Sequence, residues 1–308
     1  MKLEVLPTPP FSFELTTFIL RGGESPLRKI KDGSYIRLLH VNDKRILTEI
    51  SSVGTVEEPR IIVKLRSQQD LSSNDAKEAK KIVSASFNLE LDVLPFYDSV
   101  KNDTVMSIVV KKLRGLRSPT TPTVYEALVE SIIEQQISLN VAHRLEASVI
   151  ETFGESIRYD DEVIFSFPLP GQLAEASIND LKKCQLSQRK SEYIRDISKL
   201  IVSGELDLEK FNSYKDTSEI VKELDEIRGV GPWTAEMTVL RGLRRFDAFP
   251  ADDVGMRRHM ARYYTDEEMI TSEEARAIAD KWGEWKGLAA FYLIVADSFD
   301  VDVESIKK

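Results

Sequence analysis

At Ser118–Thr123, "SPTTPT", the chain changes texture, and that change limits the fold more than any other feature. Before it, "FSFELTTFILRG", "SYIRLLHVNDKRILTEISSVG" and "PRIIVKLRS" are rich in β-branched and aromatic residues and are broken by Gly, Pro and Asn-Asp, which reads as strands. Asn42-Asp43 between two apolar runs predicts a hairpin turn. One helix, "SNDAKEAKKIVSASFNL", opens on Ser or Asn. Beyond the change, apolar residues return at three-and-four spacing: Leu128, Ile132 and Ile133, then Val141, Leu145 and Val149, with Gly154 as the stop. Short helices are expected over 178–184, 187–203, 219–227, 232–242, 253–263, 272–281 and 284–298, with no strands in this half. A TIM barrel or Rossmann domain needs alternating strands there. The expected class is α+β: an N-terminal α/β domain with an antiparallel sheet over 1–112, then a mostly helical region over 113–308.

The chain has 308 residues and one cysteine, Cys184, which excludes an intrachain disulfide and a cysteine-based zinc or iron–sulfur site. His40, His143 and His259 are too dispersed to suggest a metal centre. No apolar run approaches the ~20 residues of a membrane span. The N-terminus lacks the apolar core and cleavage site of a signal peptide. An intracellular protein with no membrane partner is therefore expected, and only the terminal "ESIKK" suggests disorder. The net charge of −9 argues mildly against a nucleic-acid partner. The charge is uneven, however. "KKLRGLR" carries four cations and no acid, "LKKCQLSQRKSEYIRDISK" six cations against two acids, and Arg241–Arg262 six arginines against three aspartates. These segments could form one basic face or be solvated helix surfaces, and charge alone favours the second. His143 and Arg144 are likewise read as helix surface.

In "LDEIRGVGPWTAEMTVL", Gly229 and Gly231 separate two helical runs by about four residues. Such a connection makes a helical hairpin. The glycines permit positive φ and close approach of another backbone. Pro232 suits the first helical position. The second helix then begins with free N–H groups and a positive dipole end, an anion site that a DNA phosphate can occupy. A Rossmann reading of Gly-x-Gly fails because no strand precedes the turn.

Thr234-Ala235 follows at the spacing of helix–hairpin–helix DNA-binding turns, and "FPADDVGMRR" comes within about twenty residues. Together with "GLRSPTTPTVYEALVESIIEQQIS", "LRGLRRFDAFPADD" and "KWGEWKGLAAFYL", these residues resemble the helix–hairpin–helix DNA glycosylase superfamily, most closely 3-methyladenine DNA glycosylase II, over roughly 110–298. The N-terminal part fits the family's antiparallel-sheet domain more loosely. The resemblance implies a monofunctional glycosylase of base excision repair, in the cytoplasm or nucleoid. It would flip alkylated purines such as 3-methyladenine or 7-methylguanine from double-stranded DNA and hydrolyse the N-glycosidic bond. A monomer is the simplest expectation, since lesion search needs no palindrome.

The family's catalytic aspartate maps to Asp253, with Asp252 as the fallback, although either could be only a helix N-cap. One carboxylate suffices when the leaving base already carries positive charge, because the oxocarbenium-like sugar then needs stabilising and the base needs no acid. Bifunctional members of the superfamily carry a lysine where Trp233 stands, and the nearest lysine in sequence is Lys222. No strand-cleaving lyase step is therefore expected. Trp233, Trp285 and Trp282 are base-pocket candidates, since an aromatic face attracts a cationic base; each could instead be core. Gln136 matches the side chain that fills the gap left by the flipped base, with Gln135 beside it, or both are helix surface. Gly229, Val230, Gly231 and Thr234 would meet DNA. No cofactor is required, but the hairpin carbonyls of Asp225, Ile227 and Val230 match a Na+ or K+ site. The alternatives are a glycosylase for hypoxanthine, uracil or 8-oxoguanine, and a non-catalytic DNA-binding protein, for which a carboxylate near phosphates would serve no purpose.

Overall fold

A computed structural model describes residues 1–21, 25–265 and 267–299; "ESIKK" lies outside them. Strands β1 (Lys2–Val5), β2 (Arg28–Lys31), β3 (Ser34–Val41), β4 (Lys44–Ser52) and β5 (Ile61–Arg66) form an antiparallel sheet in the order β1-β5-β4-β3-β2. Val41 pairs with Lys44 across the expected turn, where Asn42 takes φ 52°, a left-handed conformation asparagine tolerates. Alternation along the strands makes two apolar faces. On one, Tyr35, Leu39, Ile46 and Ile50 share a cluster with Ala76, Ala79 and Val83 of helix α2 (Ser73–Ser86). That helix opens on a capping box between Ser72 and Asp75. On the other, Ile36, Leu38 and Leu47 pack with Ile164.

Ile164 belongs to a hairpin of β6 (Ser156–Tyr159) and β7 (Glu162–Phe165), which corrects the expectation that the second half has no strands. Four-residue strands carry too little alternation to be seen in sequence, and their burial comes from the distant sheet. "FSFELTTFILRG" is also corrected. Phe13–Phe18 is a helix, α1, capped by Ser12 Oγ on the Leu15 N–H at 3.2 Å, and a 3-10 turn follows. The Thr16 and Thr17 hydroxyls donate back to the carbonyls of Ser12 and Phe13, a local pattern that overrides their strand propensity.

The remaining helices are α3 (Leu94–Ser99), α4 (Met106–Lys112), α5 (Val124–Glu134), α6 (Leu139–Phe153), α7 (Pro170–Glu175), α8 (Ile178–Lys183), α9 (Gln188–Val202), α10 (Thr217–Asp225), α11 (Pro232–Gly242), α12 (Val254–Tyr264), α13 (Ser272–Ala279) and α14 (Lys286–Ser298). They surround one apolar cluster that includes Leu128 and Ile132 of α5, Val239 of α11 and Leu293 of α14. Phe96, Met106 and Val109, from α3 and α4, join this helical cluster rather than the sheet's. Among the described residues no helix is long and apolar enough to cross a membrane.

Several of the cations in the cation-rich runs are buried or already paired. Arg117 is fully buried and donates to the carbonyls of Thr8 and Leu91, each at 2.9 Å. Arg114 pairs with Glu57, Arg241 with Glu134, and Arg262 with Asp297. Arg245 and Arg257 donate to the carbonyls of Tyr214 and Ile270.

Glu126, Glu130 and Glu134 repeat every four residues and so form one stripe on α5. Arg37 of β3 neutralises the first and Arg241 of α11 the last. Burial pushes the Glu130 carboxyl well above its ordinary range and that of Glu146 on α6 up to about 7. For Glu146, nearby Glu134 and Glu126 add to the effect and Arg28 opposes it. A carboxyl raised in the folded state adds stability below its unfolded value, about 4.3, and that stability is lost as pH rises towards 7. Glu146→Gln, which cannot ionise, should therefore melt higher relative to the native protein at pH 8 than at pH 5, by roughly 3 °C. A difference in Tm that does not change with pH would sink this assignment.

Candidate active site

Six residues, Glu226 to Gly231, join α10 to α11, two more than expected, because α10 ends at Asp225. The turn is closed by Ile227 N–H on Leu224 O at 3.0 Å and Val230 N–H on Ile227 O at 2.9 Å. Gly229 has φ 94°, and a Cβ there would lie 2.2 Å from the Tyr193 ring of α9. Gly231 departs from expectation. Its φ is −105° and ψ 177°, extended backbone open to any residue, and nothing lies within 4 Å of its Cβ position. Only Gly229 uses its conformational freedom, and what approaches it is an aromatic ring rather than a backbone. No side chain caps α11, and Pro232 stands at its first position. The N–H groups of Trp233 and Thr234 have no acceptor among the described residues, and a Cβ on neighbouring Gly231 would meet nothing within 4 Å. Unpaired backbone donors and the helix dipole suit this end to an anion.

Asp253 caps α12, its Oδ1 accepting the Met256 N–H at 2.7 Å. Its Oδ2 accepts the indole N–H of Trp233 at 3.2 Å. Capping and pairing thus fix both oxygens of one partly exposed carboxylate at the exit of the hairpin. Asp252 is exposed and accepts the Ser272 hydroxyl at 2.6 Å, with no hydrogen bond to Trp233 among the described residues. Behind Asp253, the loop rests on Arg276 of α13. That guanidinium donates to Phe249 O at 3.4 Å and to Glu236 of α11 at 3.3 Å. Burial pushes the Glu236 carboxyl up, and its Oε2 has no partner.

Trp285 is partly exposed, with its ring 5.9 Å from that of Phe96. Two residues on, Gly287 donates to Phe246 O at 2.7 Å, and a Cβ there would meet Ala248 O at 2.5 Å. This contact pins the start of α14 to the loop that runs into Asp253. Trp282 corrects the pocket reading. It is 2% exposed, its N–H donates to Asp103 at 3.3 Å and its ring meets Tyr264, so it is a core residue.

Gln136 is exposed at φ 56°, on the turn between α5 and α6, next to exposed Ile137 and Leu139. It is thus a projecting side chain and not helix surface. Gln135 and Thr234, both read as DNA contacts, turn inward instead. The Gln135 amide donates to Gly229 O and to Thr234 Oγ1, each at 2.9 Å, and Thr234 is 2% exposed. The Val230 side chain is buried too, leaving only its backbone for a ligand. For the cation, the carbonyls of Asp225 and Val230 accept no hydrogen bond among the described residues, while that of Ile227 already serves Val230. His143 and Arg144 line a cavity of about 530 Å³ with Lys29, Asn140 and Glu151. A cavity of about 580 Å³ lies between β3, the start of α5 and Leu206–Glu209. Neither is lined by Asp253 or Trp233.

Lys190, Tyr193, Arg276 and Gly287 escaped the sequence reading. Each acts through a distant partner, and only the cationic run around Lys190 gave any local signal.

Residues 129–284 match the family described as HhH-GPD superfamily base excision DNA repair protein. The chain is 31% identical over 278 residues to the DNA-3-methyladenine glycosylase of Bacillus subtilis, covering 90% of each sequence. It is 26% identical to a probable N-glycosylase/DNA lyase of Methanothermobacter thermautotrophicus, covering 94% of each. A 3-methyladenine DNA glycosylase structure from Archaeoglobus fulgidus superposes with TM-score 0.84 at 23% identity, over 96% of this chain and 99% of that one.

Proposed function

The chain belongs to the HhH-GPD superfamily of base excision DNA repair proteins, and from that membership we propose a monofunctional DNA glycosylase that excises cationic alkylated purines, 3-methyladenine and 7-methylguanine, from duplex DNA. DNA is its partner. The observation that carries the proposal is the Asp253–Trp233 pair at the hairpin exit.

The chemistry follows from that pair. A base in a duplex is out of reach, so the nucleotide must rotate out of the stack. The hairpin N–H groups hold a phosphate and fix the register without reading sequence. An extruded alkylpurine carries positive charge, which an indole face attracts. The C1′–N bond then breaks with both electrons going to the base, which leaves neutral. The sugar cation left behind is stabilised by the Asp253 carboxylate. Water adds to C1′ and loses its proton, giving an abasic site. Asp252, exposed and bound to Ser272, is not needed.

The indole of Trp233 stands where a lyase would need an amine, and an indole N–H is no nucleophile. That supports hydrolysis without strand cleavage. The free carbonyls of Asp225 and Val230, with that of Ile227, fit a monovalent cation that would add positive charge beside the phosphate. A monomer fits a search for single lesions.

The test is release of base from duplexes containing 3-methyladenine or 7-methylguanine, with and without later alkali. Release with strand breaks only after alkali is expected. Breaks before alkali would mean an amine nucleophile other than residue 233. Binding without release of either base would move the substrate to hypoxanthine, uracil or 8-oxoguanine.

A further inference from the structure

The turn that carries Gln136 is held from behind. Lys190, on α9, donates to the carbonyls of Ile133 and Gln135, both at 2.7 Å. These are carbonyls at the end of α5, which lack helical partners and carry the negative end of the dipole. The chain leaves the helix at Gln135 (φ −49°, ψ 127°) and reverses at Gln136. The direction in which Gln136 projects is therefore set where the ammonium grips. One turn further along α9, Tyr193 lies under Gly229, and Arg228 sits over the same ring at 5.4 Å while pairing with Glu192 and Asp196. The Gln135 amide closes the circuit by donating to Gly229 O and Thr234 Oγ1. Trp233, next in chain, holds Asp253.

We infer that Lys190 is a positioning residue for lesion extraction: through Gln135 it fixes the projecting Gln136 turn against the hairpin and so against Asp253. The inference rests on the glycosylase reading above. Lys190 does not touch the reacting atoms. Its effect is confined to opening the stack, and chemistry on a base already out of the stack does not use it. A lysine that merely capped α5 would affect stability and all substrates alike.

The two roles separate by comparing substrates. Single-turnover base release is measured on 7-methylguanine opposite cytosine and on 7-methylguanine opposite an abasic site, where extrusion costs less. A 2-aminopurine beside the lesion reports unstacking. Lys190→Met should lower the rate on the paired lesion about tenfold, keep the rate on the unpaired lesion within about twofold, and blunt the 2-aminopurine rise. Lys190→Arg, which keeps the charge and the donors, should restore the ratio. Gln135→Met should lower the ratio as well, and it stands in if Lys190→Met does not fold. Equal losses on both substrates, or no loss on the paired one, would overturn the inference. A native protein that releases no base from either substrate would instead count against the proposed function.

Discussion

Asp253→Asn is expected to lower base release about 10³-fold while leaving duplex binding unchanged. Asparagine is as good an N-cap as aspartate, so the Met256 N–H keeps its acceptor and α12 keeps its start. What is lost is the negative charge that would face the sugar cation. Asp252→Asn serves as the control. That residue is also polar and one position away, but its partner is Ser272. It should retain release within about threefold, a surface substitution having little to disturb. Single-turnover rates on a 7-methylguanine duplex, with band-shift affinities for an abasic duplex, decide the matter. Equal losses in the two variants would mean the wrong aspartate or no specific one.

The second large effect is at the hairpin. Gly229→Ala must place a methyl 2.2 Å from the Tyr193 ring at a φ of 94°. The left-handed backbone costs about 1–2 kcal/mol for a residue with a Cβ, and forced overpacking about 1–3 more. Loss of roughly 2–4 kcal/mol of stability is expected, with at least a tenfold weaker affinity for undamaged duplex, because the turn that presents the α11 N–H groups must shift. Gly231→Ala makes the contrast. Its backbone is extended and its surroundings are open, so folding should hardly change. The new methyl would nevertheless stand beside the proposed phosphate seat at the start of α11, and on that reading it should weaken DNA binding. Denaturant melts and salt titrations of binding separate the two. If Gly229→Ala melts like the native chain, the packing of Tyr193 is not what fixes the turn.

The features legible in the sequence are those whose chemistry lies in adjacent residues. The Asn42-Asp43 turn and the uncapped start at Gly231-Pro232 needed only local rules, while the helix expected to open on Ser73 or Asn74 is capped one residue earlier, by Ser72. Asp253 and Trp233 lie twenty residues apart, and only a family resemblance joined them before the geometry did. Long-range partners decided the rest. Trp282, a weaker pocket candidate than Trp285 in the sequence, is taken into the core by Asp103, which accepts its N–H. Gln135 and Gln136 are the same residue type side by side, yet one φ of 56° sends them in opposite directions. Arg117 sits in a cationic run and is nevertheless wholly inside, because carbonyls from the N-terminal segment converge on it.

Helix α9 holds the Gln136 turn at Lys190 and the hairpin at Tyr193, one helical turn apart on a single rigid rod. Together these contacts tie the exposed Gln136 turn to the Gly229 hairpin, which on the proposed reading are the probe that would enter the stack and the seat that would grip the backbone. A protein built this way works as a caliper. If its jaws keep their spacing, the duplex must do the yielding. A step that bends and unpairs at low cost would then be gripped longer than one that resists, a first screening that would need no contact with the edge of any base.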